Sequence, residues 1–274
     1  RKVDAPPSGQ SAWERLKSNT NWLAFWFMLP TAAILILFLA YPLGKGVWMS
    51  LTSVTIGRPG EFIGLENYEE LLVYDKTFRN STFFTIVYTA IASAIKFAVG
   101  LYLALLLNNN MKFKSLIRSI ILIPFIVPTV LSAIAFWWIF DSQFSIISWS
   151  LKKAGLISEN INFLGDPLIA QATVIFCNIW RGIPFVAITL LAGLQTVSPS
   201  LYEAATLDGA TRWQIFRHIT YPLLTPIIAV VMTFSVLFTF TDFQLIWAMT
   251  RGGPVNATHL MATYSYQKGI LGGQ

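Results

Sequence analysis

Long apolar runs alternate with short polar segments along this chain, and the runs have the lengths of membrane-spanning helices. A helix needs about 20 apolar residues to cross a bilayer. Five runs meet this requirement, and Pro30 is expected to kink the first of them. The predicted spans are residues 22–41, 83–107, 116–140, 168–194 and 223–249. The pattern therefore predicts an all-α integral membrane protein.

The polar segments divide the chain into a tail and one membrane domain. Residues 1–20 are polar, and a Ser-x-x-Glu pattern at Ser11 and Glu14 predicts a short interfacial helix there. Residues 21–274 form the predicted transmembrane domain. Its first loop contains GRPGEF and IGLENYEELL, which predict a turn followed by a short amphipathic helix that faces water.

The composition supports a membrane location. Hydrophobic residues make up 55% of the chain and charged residues only 12%, whereas soluble domains average about 25% charged residues. The net charge of +6 does not indicate nucleic-acid binding, because basic residues of membrane proteins mark cytoplasmic loops and contacts with lipid headgroups. The single cysteine, Cys177, cannot form an internal disulfide.

The orientation of the chain is predicted from one short loop, because basic residues are almost equally divided between the two sides. The hinge between the second and third spans holds Lys112, Lys114 and Arg118 and no acidic residue. Short loops carry the most weight in the positive-inside rule. We therefore predict a multi-pass protein whose N-terminus is cytoplasmic.

Residues 198–222 separate the last two spans and are far more polar than the spans around them. Their sequence is SPSLYEAATLDGATRWQIFRHITYP. Ser200 and Glu203 match a capping box, and Ser198 before a proline is a competing helix start. Either pattern predicts a short helix at this point.

A second helix is predicted in the same segment, after a glycine hinge. Asp208 and Gly209 end the first helix, because glycine adopts the left-handed C-terminal conformation at little cost. Thr211 and Gln214 form a second capping-box pattern and start a helix that runs to Pro222. Apolar side chains alternate with basic ones, which favours docking against another protein; an ordinary connector is the alternative. These side chains are Leu207, Ala210, Trp213 and Ile215, with Arg212, Arg217 and His218.

Part of this segment resembles the EAA loop in the membrane subunits of ATP-binding-cassette (ABC) importers. The matching residues are Glu203, Ala204, Ala205, Gly209, Ile219 and Pro222. Tyr221 is a mild departure, since the position usually holds leucine. The fragments FIGLENY, LIPFIVP, IWRGIPF and FQLIWAMTRGGP resemble the carbohydrate-uptake class of type I importers, which includes maltose, alginate and glycerol-phosphate permeases. The resemblance extends from the first span to Gln274 and implies the type I importer transmembrane fold.

The resemblance implies that this loop is a cytoplasmic coupling helix, which sits in a cleft of the ATPase subunit and moves the spans when the ATPase dimer closes. Gly209 then permits the hinge, and Glu203 is both a helix cap and a candidate polar contact. The residues assigned to coupling in this way are Glu203, Ala204, Ala205, Asp208, Gly209, Ala210, Trp213, Ile219 and Pro222.

The resemblance also implies several partners and no catalysis by this chain. The sequence has no G-x-x-x-x-G-K-[ST] phosphate-binding loop, so ATP and Mg are expected in a partner ATPase, and no cofactor or metal is expected here. The expected partners are a second permease subunit, two ATPase subunits and a solute-binding protein, in the bacterial cytoplasmic (inner) membrane. The pore is expected to be a heterodimer, with a homodimer as the alternative. A sixth span is expected beyond Gln274.

Two basic residues, Lys96 and Arg181, lie near the middle of predicted spans. A charge at that depth costs at least ~2.5 kcal/mol, so each should face a cavity or a partner. Asp242 is nearer the outer end of its span, and a positively biased path would suit an acidic saccharide such as a uronate oligomer. The alternative is that each base pairs with backbone carbonyls or with the second permease. Further candidates for the substrate pathway are Tyr88, Asn178, Trp180, Asp242, Phe243 and Gln244.

A permease subunit has three alternatives: a secondary transporter, a membrane enzyme and a membrane scaffold. A secondary transporter usually shows paired repeats with broken helices, and the glycine-hinged segment has no second copy. A membrane enzyme needs convergent titratable groups, whereas His218 and His259 both lie outside the predicted spans. A membrane scaffold without transport is the third possibility. Co-purification with a P-loop ATPase discriminates between these classes.

Overall fold

The computed structural model describes residues 20–109 and 112–273. The predicted interfacial helix at Ser11 and Glu14 lies outside the described residues. The chain separates into two units, Arg1–Glu70 and Leu71–Gln274. Its helices are numbered here in chain order.

The described part of the first unit is one long helix followed by a looped segment. Helix α1 (Thr20–Leu35) continues through a π-helical turn (Ile36–Ala40) into α2 (Tyr41–Ser50). Proline has no backbone N–H, and the π-helical turn directly precedes the pair Tyr41-Pro42. The predicted turn and short helix follow as two isolated antiparallel bridges between residues 52 and 62 and as α3 (Glu66–Glu69). The side chain of Asn67 donates hydrogen bonds to the carbonyls of Ser50 and Thr52, which holds this loop against the helix end.

The core of the second unit is formed by three long helices. These are α4 (Lys76–Asn108), α8 (Pro167–Leu194) and α11 (Tyr221–Phe240), and each packs against the other two. Asp75 caps α4 by accepting a hydrogen bond from the N–H of Phe78, and Asp166 caps α8 in the same way. Two clusters of buried side chains lie along this core, one around Tyr88, Phe136 and Leu245 and the other around Leu107, Leu190 and Leu224.

The third predicted span is two helices rather than one. Helix α5 (Lys114–Ile126) and helix α6 (Thr129–Ile139) are bent by 91° relative to each other. The residue before a proline avoids the helical conformation, and Val127, which precedes Pro128, is extended, with φ −65° and ψ 129°. The run 116–140 was predicted as a single span because its apolar character continues across this break.

The remaining helices of the second unit are short and connect the long ones. Helix α7 (Ile146–Lys153) lies between α6 and α8, and α9 (Pro199–Leu207) and α10 (Arg212–Ile215) lie between α8 and α11. After α11 the chain breaks at residues 241–243 before α12 (Gln244–Met249). The fifth predicted span, 223–249, therefore contains a helix break that its composition does not reveal. Among the described residues, four helical segments are long and apolar enough to cross a membrane, or five if the bent pair counts as one span.

The last described segment folds back onto the start of α4. It comprises α13 (Met261–Tyr266) and a π-helical turn (Gln267–Leu271). The hydroxyl of Tyr264 and the Nζ of Lys268 both donate to Asp75 Oδ2, at 2.6 and 3.0 Å. Burial opposes ionisation of Asp75, but the hydrogen bonds from Tyr264, the Phe78 N–H and Lys268 prevail and lower its pKa to about 2. One carboxylate therefore caps α4 and anchors α13.

Candidate functional site

A polar cavity opens between the long helices of the second unit. Its volume is about 510 Å³, and its walls come from α4, α8, α11 and the break between α5 and α6. Polar and charged side chains are expensive at membrane depth unless they line a cavity or are paired. The polar and charged members of the lining are Lys96, Thr129, Asn178, Arg181, Ser235, Thr239, Thr241, Asp242 and Gln244, with Phe125, Phe185, Phe238 and Phe243 as its aromatic members.

Four side chains of the cavity wall are joined by hydrogen bonds across three elements. Lys96 Nζ on α4 donates to Asn178 Oδ1 on α8 at 2.9 Å and to Thr239 Oγ1 on α11 at 2.5 Å. Asn178 Nδ2 in turn donates to Asp242 Oδ2 at 2.9 Å. The buried hydroxyl of Tyr88 donates to the same oxygen at 2.8 Å. Asn178 therefore links a cation to an anion, and the network ties α4, α8 and α11 together.

Two polar atoms of the cavity wall are buried without a hydrogen-bond partner among the described residues. They are Arg181 Nε and the hydroxyl oxygen of Ser235, whose side chain is 3% exposed. Buried polar groups are nearly always hydrogen-bonded. Both atoms are therefore free to bind a ligand that enters the cavity.

Gly182 provides the space that the stem of Lys96 needs. A Cβ atom on this glycine would stand 2.4 Å from Lys96 Cδ, which is too close for the lysine to stay where it is. The absence of a side chain at Gly182 therefore allows Lys96 to reach Asn178 and Thr239.

The structure gathers most of the predicted pathway residues at one place. Those that line the cavity are Lys96, Asn178, Arg181, Asp242, Phe243 and Gln244. Tyr88 is fully buried behind them and contacts Asp242. Trp180 is not among the lining residues; it packs edge to face on Phe136, with ring centroids 5.0 Å apart.

The sequence analysis placed Asp242 nearer the outer end of its span than the two bases, and it missed several lining residues. The helix break at residues 241–243 brings Asp242 into the same cavity as Lys96 and Arg181. Ser235 and Thr239 were overlooked. The two residues are four positions apart, which places them on one face of α11, and that spacing could have been read from the sequence.

Helix α9 ends at the predicted glycine hinge. Gly209 has φ +77°, its N–H donates to the carbonyl of Thr206 at 3.1 Å, and the N–H of Ala210 donates to Ala205 at 3.0 Å. This pair of bonds is a Schellman motif, which requires the left-handed conformation that glycine adopts readily. The predicted end of the helix is confirmed. The predicted Ser200–Glu203 capping box is wrong, because the helix starts at the alternative Ser198-Pro199 and no side chain caps it; Glu203 is exposed.

The second predicted helix of the segment begins where the sequence indicates but does not end at Pro222. Thr211 and Gln214 form the predicted capping box at the start of α10. The chain then passes through a π-helical turn (Phe216–Thr220) directly into α11. Tyr221 donates to the carbonyl of Phe216 in this turn, just before a proline that has no N–H of its own. The helix of the loop and the long apolar helix are thus one continuous rod.

The 198–222 segment carries strongly exposed apolar side chains among its polar ones. Leu207 is 89% exposed and Trp213 is 65% exposed. The Trp213 ring stacks on Phe216 at 5.5 Å. Ala205, Asp208, Gly209, Ala210 and Ile219 line a shallow hollow of about 320 Å³ with Gln214, Ile215 and His218, whereas Glu203, Ala204 and Pro222 do not line it. Strongly exposed apolar side chains such as Leu207 and Trp213 are typical of docking surfaces.

Comparison with known proteins agrees with this arrangement. Residues 96–270 match the family model described as "Binding-protein-dependent transport system inner membrane component". The trehalose/maltose transport system permease protein MalF of Thermococcus litoralis is 32% identical over 259 residues, which cover 94% of this chain and 87% of that protein. The sulfoquinovosyl glycerol transport system permease protein SmoG of Agrobacterium fabrum is 35% identical over 261 residues, covering 94% of this chain and 84% of that protein.

Solved structures show the same fold. A chain in the crystal structure of a bacterial ABC transporter involved in the import of the acidic polysaccharide alginate aligns with a TM-score of 0.78 at 26% identity, covering 95% of this chain and 87% of that chain. A chain from the alginate transporter in complex with an alginate pentasaccharide-bound periplasmic protein aligns with a TM-score of 0.79 at 25% identity, covering 96% and 88%.

Proposed function

The chain belongs to the family of binding-protein-dependent transport system inner membrane components, and from this premise we propose how it works as the permease subunit of a sugar ABC importer. It is a multi-pass protein of the inner membrane with a helical importer fold. We propose that it forms part of the translocation pore for an oligosaccharide that a solute-binding protein delivers and that ATP hydrolysis drives.

The cavity is the proposed path of the sugar. It lies at the meeting point of α4, α8 and α11, and it combines hydrogen-bonding groups with the rings of Phe125, Phe185 and Phe243. Sugars need both, since hydroxyls bind polar groups and the apolar faces of the rings stack on aromatic side chains. Arg181, which is outside the network that links Lys96 to Asp242, and the likeness to alginate importer chains support an acidic oligosaccharide.

The 198–222 segment is the proposed docking site for the ATPase subunit. The Schellman motif at Gly209 sets the angle between α9 and α10, and the exposed Leu207 and Trp213 offer the apolar contacts. Closure of the ATPase dimer would then move α10 and, through the continuous rod, the cavity wall on α11. ATP and Mg belong to that partner, and the N-terminus lies on the same cytoplasmic side as this segment.

The remaining partners are inferred from the family. We propose that a second, similar permease completes the pore as a heterodimer and that two ATPase subunits bind from the cytoplasm. Of the two similar alginate transporter structures, one is of a transporter that imports the acidic polysaccharide alginate, and the other is a complex with a periplasmic protein that holds an alginate pentasaccharide. Mass measurement of the intact complex distinguishes a heterodimeric pore from a homodimeric one.

The main observation behind this proposal is that one continuous helix, from α10 through α11, connects the cavity of about 510 Å³ to the exposed 198–222 segment with its glycine hinge. The test is co-purification of the full chain with a P-loop ATPase, followed by reconstitution in proteoliposomes. We expect ATP-dependent oligosaccharide uptake that stops when the ATPase is omitted. Transport by this chain without any ATPase would overturn the proposal and favour a secondary transporter.

A further inference from the structure

The break between α5 and α6 places a bare helix start at the cavity. The two helices meet at 91°, and Thr129, the first residue of α6, lines the cavity. The residue before it, Pro128, has no side chain that can accept a hydrogen bond, and no side chain caps the helix. The first N–H groups of any helix have no intrahelical partner. Such groups are tolerated at membrane depth where they line a cavity.

A helix start carries a partial positive charge. The aligned peptide dipoles of α6, which is 11 residues long, amount to roughly half a unit charge at its N-terminus. Discontinuous membrane helices of transporters often point such ends at the anionic groups of their substrates. A helix start alone does not identify a ligand, so the kind of ligand must be inferred from the side chains beside it.

Of the three charged side chains that line the cavity, Lys96 and Asp242 are linked, and Arg181 has no counter-charge among the described lining residues. Lys96 is linked to Asp242 through Asn178, which donates to the carboxylate while it accepts from the lysine. Asp242 also receives the hydroxyl of Tyr88. Arg181 is outside this network in the described residues, and its Nε is buried without a partner.

The side chain of Ser235 gives evidence for a ligand that is independent of the helix start and of Arg181. Its side chain is 3% exposed, it lines the cavity, and its hydroxyl has no partner among the described residues. A buried hydroxyl without a partner costs free energy, and a ligand oxygen would satisfy it. Arg181 and Ser235 lie on α8 and α11, which pack against each other, and α5 packs on α8.

We propose that the start of α6, Arg181 and Ser235 form a subsite that binds one carboxylate of an acidic sugar. Arginine N–H groups, a hydroxyl and helix N–H groups are all donors, which is the chemistry that an ionised carboxylate requires. Lys96 and Asp242 neutralise each other and serve as a brace between helices. That the ligand is a sugar rests on the proposed function. The preference of the subsite for an anion does not rest on it.

The test uses the charge of a thiol reagent as the probe. In the assembled complex, Ser235→Cys provides a thiol in the subsite, and the parent chain, whose only cysteine, Cys177, is buried, gives the background. The complex is labelled with either a sulfonate-bearing or an ammonium-bearing methanethiosulfonate, and mass spectrometry measures the rate at which this chain is modified. The ratio of the two rates at one thiol, divided by the same ratio for a small free thiol, cancels the intrinsic reactivity of the thiol and of the two reagents.

We expect this normalised ratio to favour the sulfonate reagent on the order of tenfold, which is about what one unpaired charge gives at roughly 10 Å in a partly hydrated site. Arg181→Gln should bring the ratio close to one. Arg118→Gln is the matched control, because Arg118 also has a buried, unpartnered Nε but does not line the cavity; its ratio should stay high. An oligogalacturonate should protect the thiol, and its methyl ester should not.

A second pair of variants tests the helix start. Pro128→Asp places a carboxylate where it caps α6 and occupies the subsite, so the sulfonate preference should vanish. Pro128→Asn caps the same N–H groups without a charge and should keep most of the preference. Gln244→Cys, at an exposed lining position, serves as the reporter if the thiol at position 235 does not react.

The subsite is overturned if neither reporter prefers the sulfonate reagent, or if Arg118→Gln lowers the ratio as much as Arg181→Gln does. A preference that disappears with Arg181→Gln supports the subsite even in a complex that fails to transport. Failure of the proposed function shows differently, as uptake that needs no ATPase.

Discussion

Replacing Gly209 with valine tests whether the hinge of the 198–222 segment transmits ATPase movement. Gly209 has φ +77°, and a Cβ atom there would meet no other atom within 4 Å. The cost of Gly209→Val is therefore torsional rather than steric. The left-handed conformation costs a residue with a side chain roughly 1–2 kcal/mol, and a β-branched one more. That amount shifts the equilibrium between the native hinge and a distorted one by about 5- to 30-fold.

The matched control is the same motif in another loop. Gly155, after α7, has φ +70° with no atom within 4 Å of a Cβ. Its N–H donates to Lys152 at 3.0 Å and the N–H of Leu156 donates to Leu151 at 3.0 Å, the bonding pattern of a Schellman motif. Gly155→Val therefore carries the same torsional cost at a position outside the proposed docking segment.

The assay measures affinity for the ATPase subunit and sugar-stimulated ATP hydrolysis in proteoliposomes. We expect Gly209→Val to insert normally, since no apolar span changes, and to lose about 5- to 30-fold in ATPase affinity or in coupled hydrolysis. Gly209→Asn should recover part of the loss, because asparagine tolerates the left-handed region. The reasoning is refuted if Gly209→Val couples like the parent, or if Gly155→Val impairs coupling equally.

Three further changes test other contacts. Gly182→Ala should cut sugar uptake about tenfold, because its Cβ, 2.4 Å from Lys96 Cδ, displaces Lys96 from charged hydrogen bonds worth ~1.5–3 kcal/mol; normal uptake contradicts this. Thr211→Ala should destabilise the start of α10 by about 1 kcal/mol, seen as faster amide exchange there; unchanged exchange rules out a role for the cap. Asp75→Ala should loosen residues 261–271 to protease more than Asp75→Asn, which keeps the cap. Because the pKa of Asp75 is lowered to about 2, its ionised contact with Lys268 is complete above about pH 4 and is lost as the pH falls through about 2; loss at higher pH contradicts this.

The sequence predicted the features of this protein that depend on local patterns. Apolar run length located the spans, and the glycine at position 209 and the Thr211–Gln214 capping box located the hinge and the second helix start. These signals act over a few residues. The start of α9 was ambiguous, because two serine patterns competed, and proline at the first helical position favoured Ser198.

Tertiary contacts account for what the sequence did not predict. Apolar composition continues through the break at Val127-Pro128 and through residues 241–243, so each interrupted run was predicted as one span. Lys96 is linked to Asp242 through Asn178, which is 82 positions from Lys96 and 64 positions from Asp242 in the sequence. Nothing local signals such a link. Trp180 was chosen for its aromatic ring, but packing on Phe136 accounts for it.

The uninterrupted helix from α10 through α11 makes the protein mechanically stiff along one line. From Trp213 to Thr239 the chain rises about 1.5 Å per residue, so the two side chains stand roughly 39 Å apart on one strut. A tilt of about 5° around the middle of such a strut moves each end by roughly 1.7 Å, which exceeds the tolerance of a hydrogen bond. A small tilt of this helix at the Trp213 end is thus large enough to break the hydrogen bond between Lys96 and Thr239 at the other end. Helices kink at π-helical turns and at prolines, so the turn before Pro222 and Pro226 within α11 are where this strut would bend, and bending there would reduce the movement that reaches Thr239.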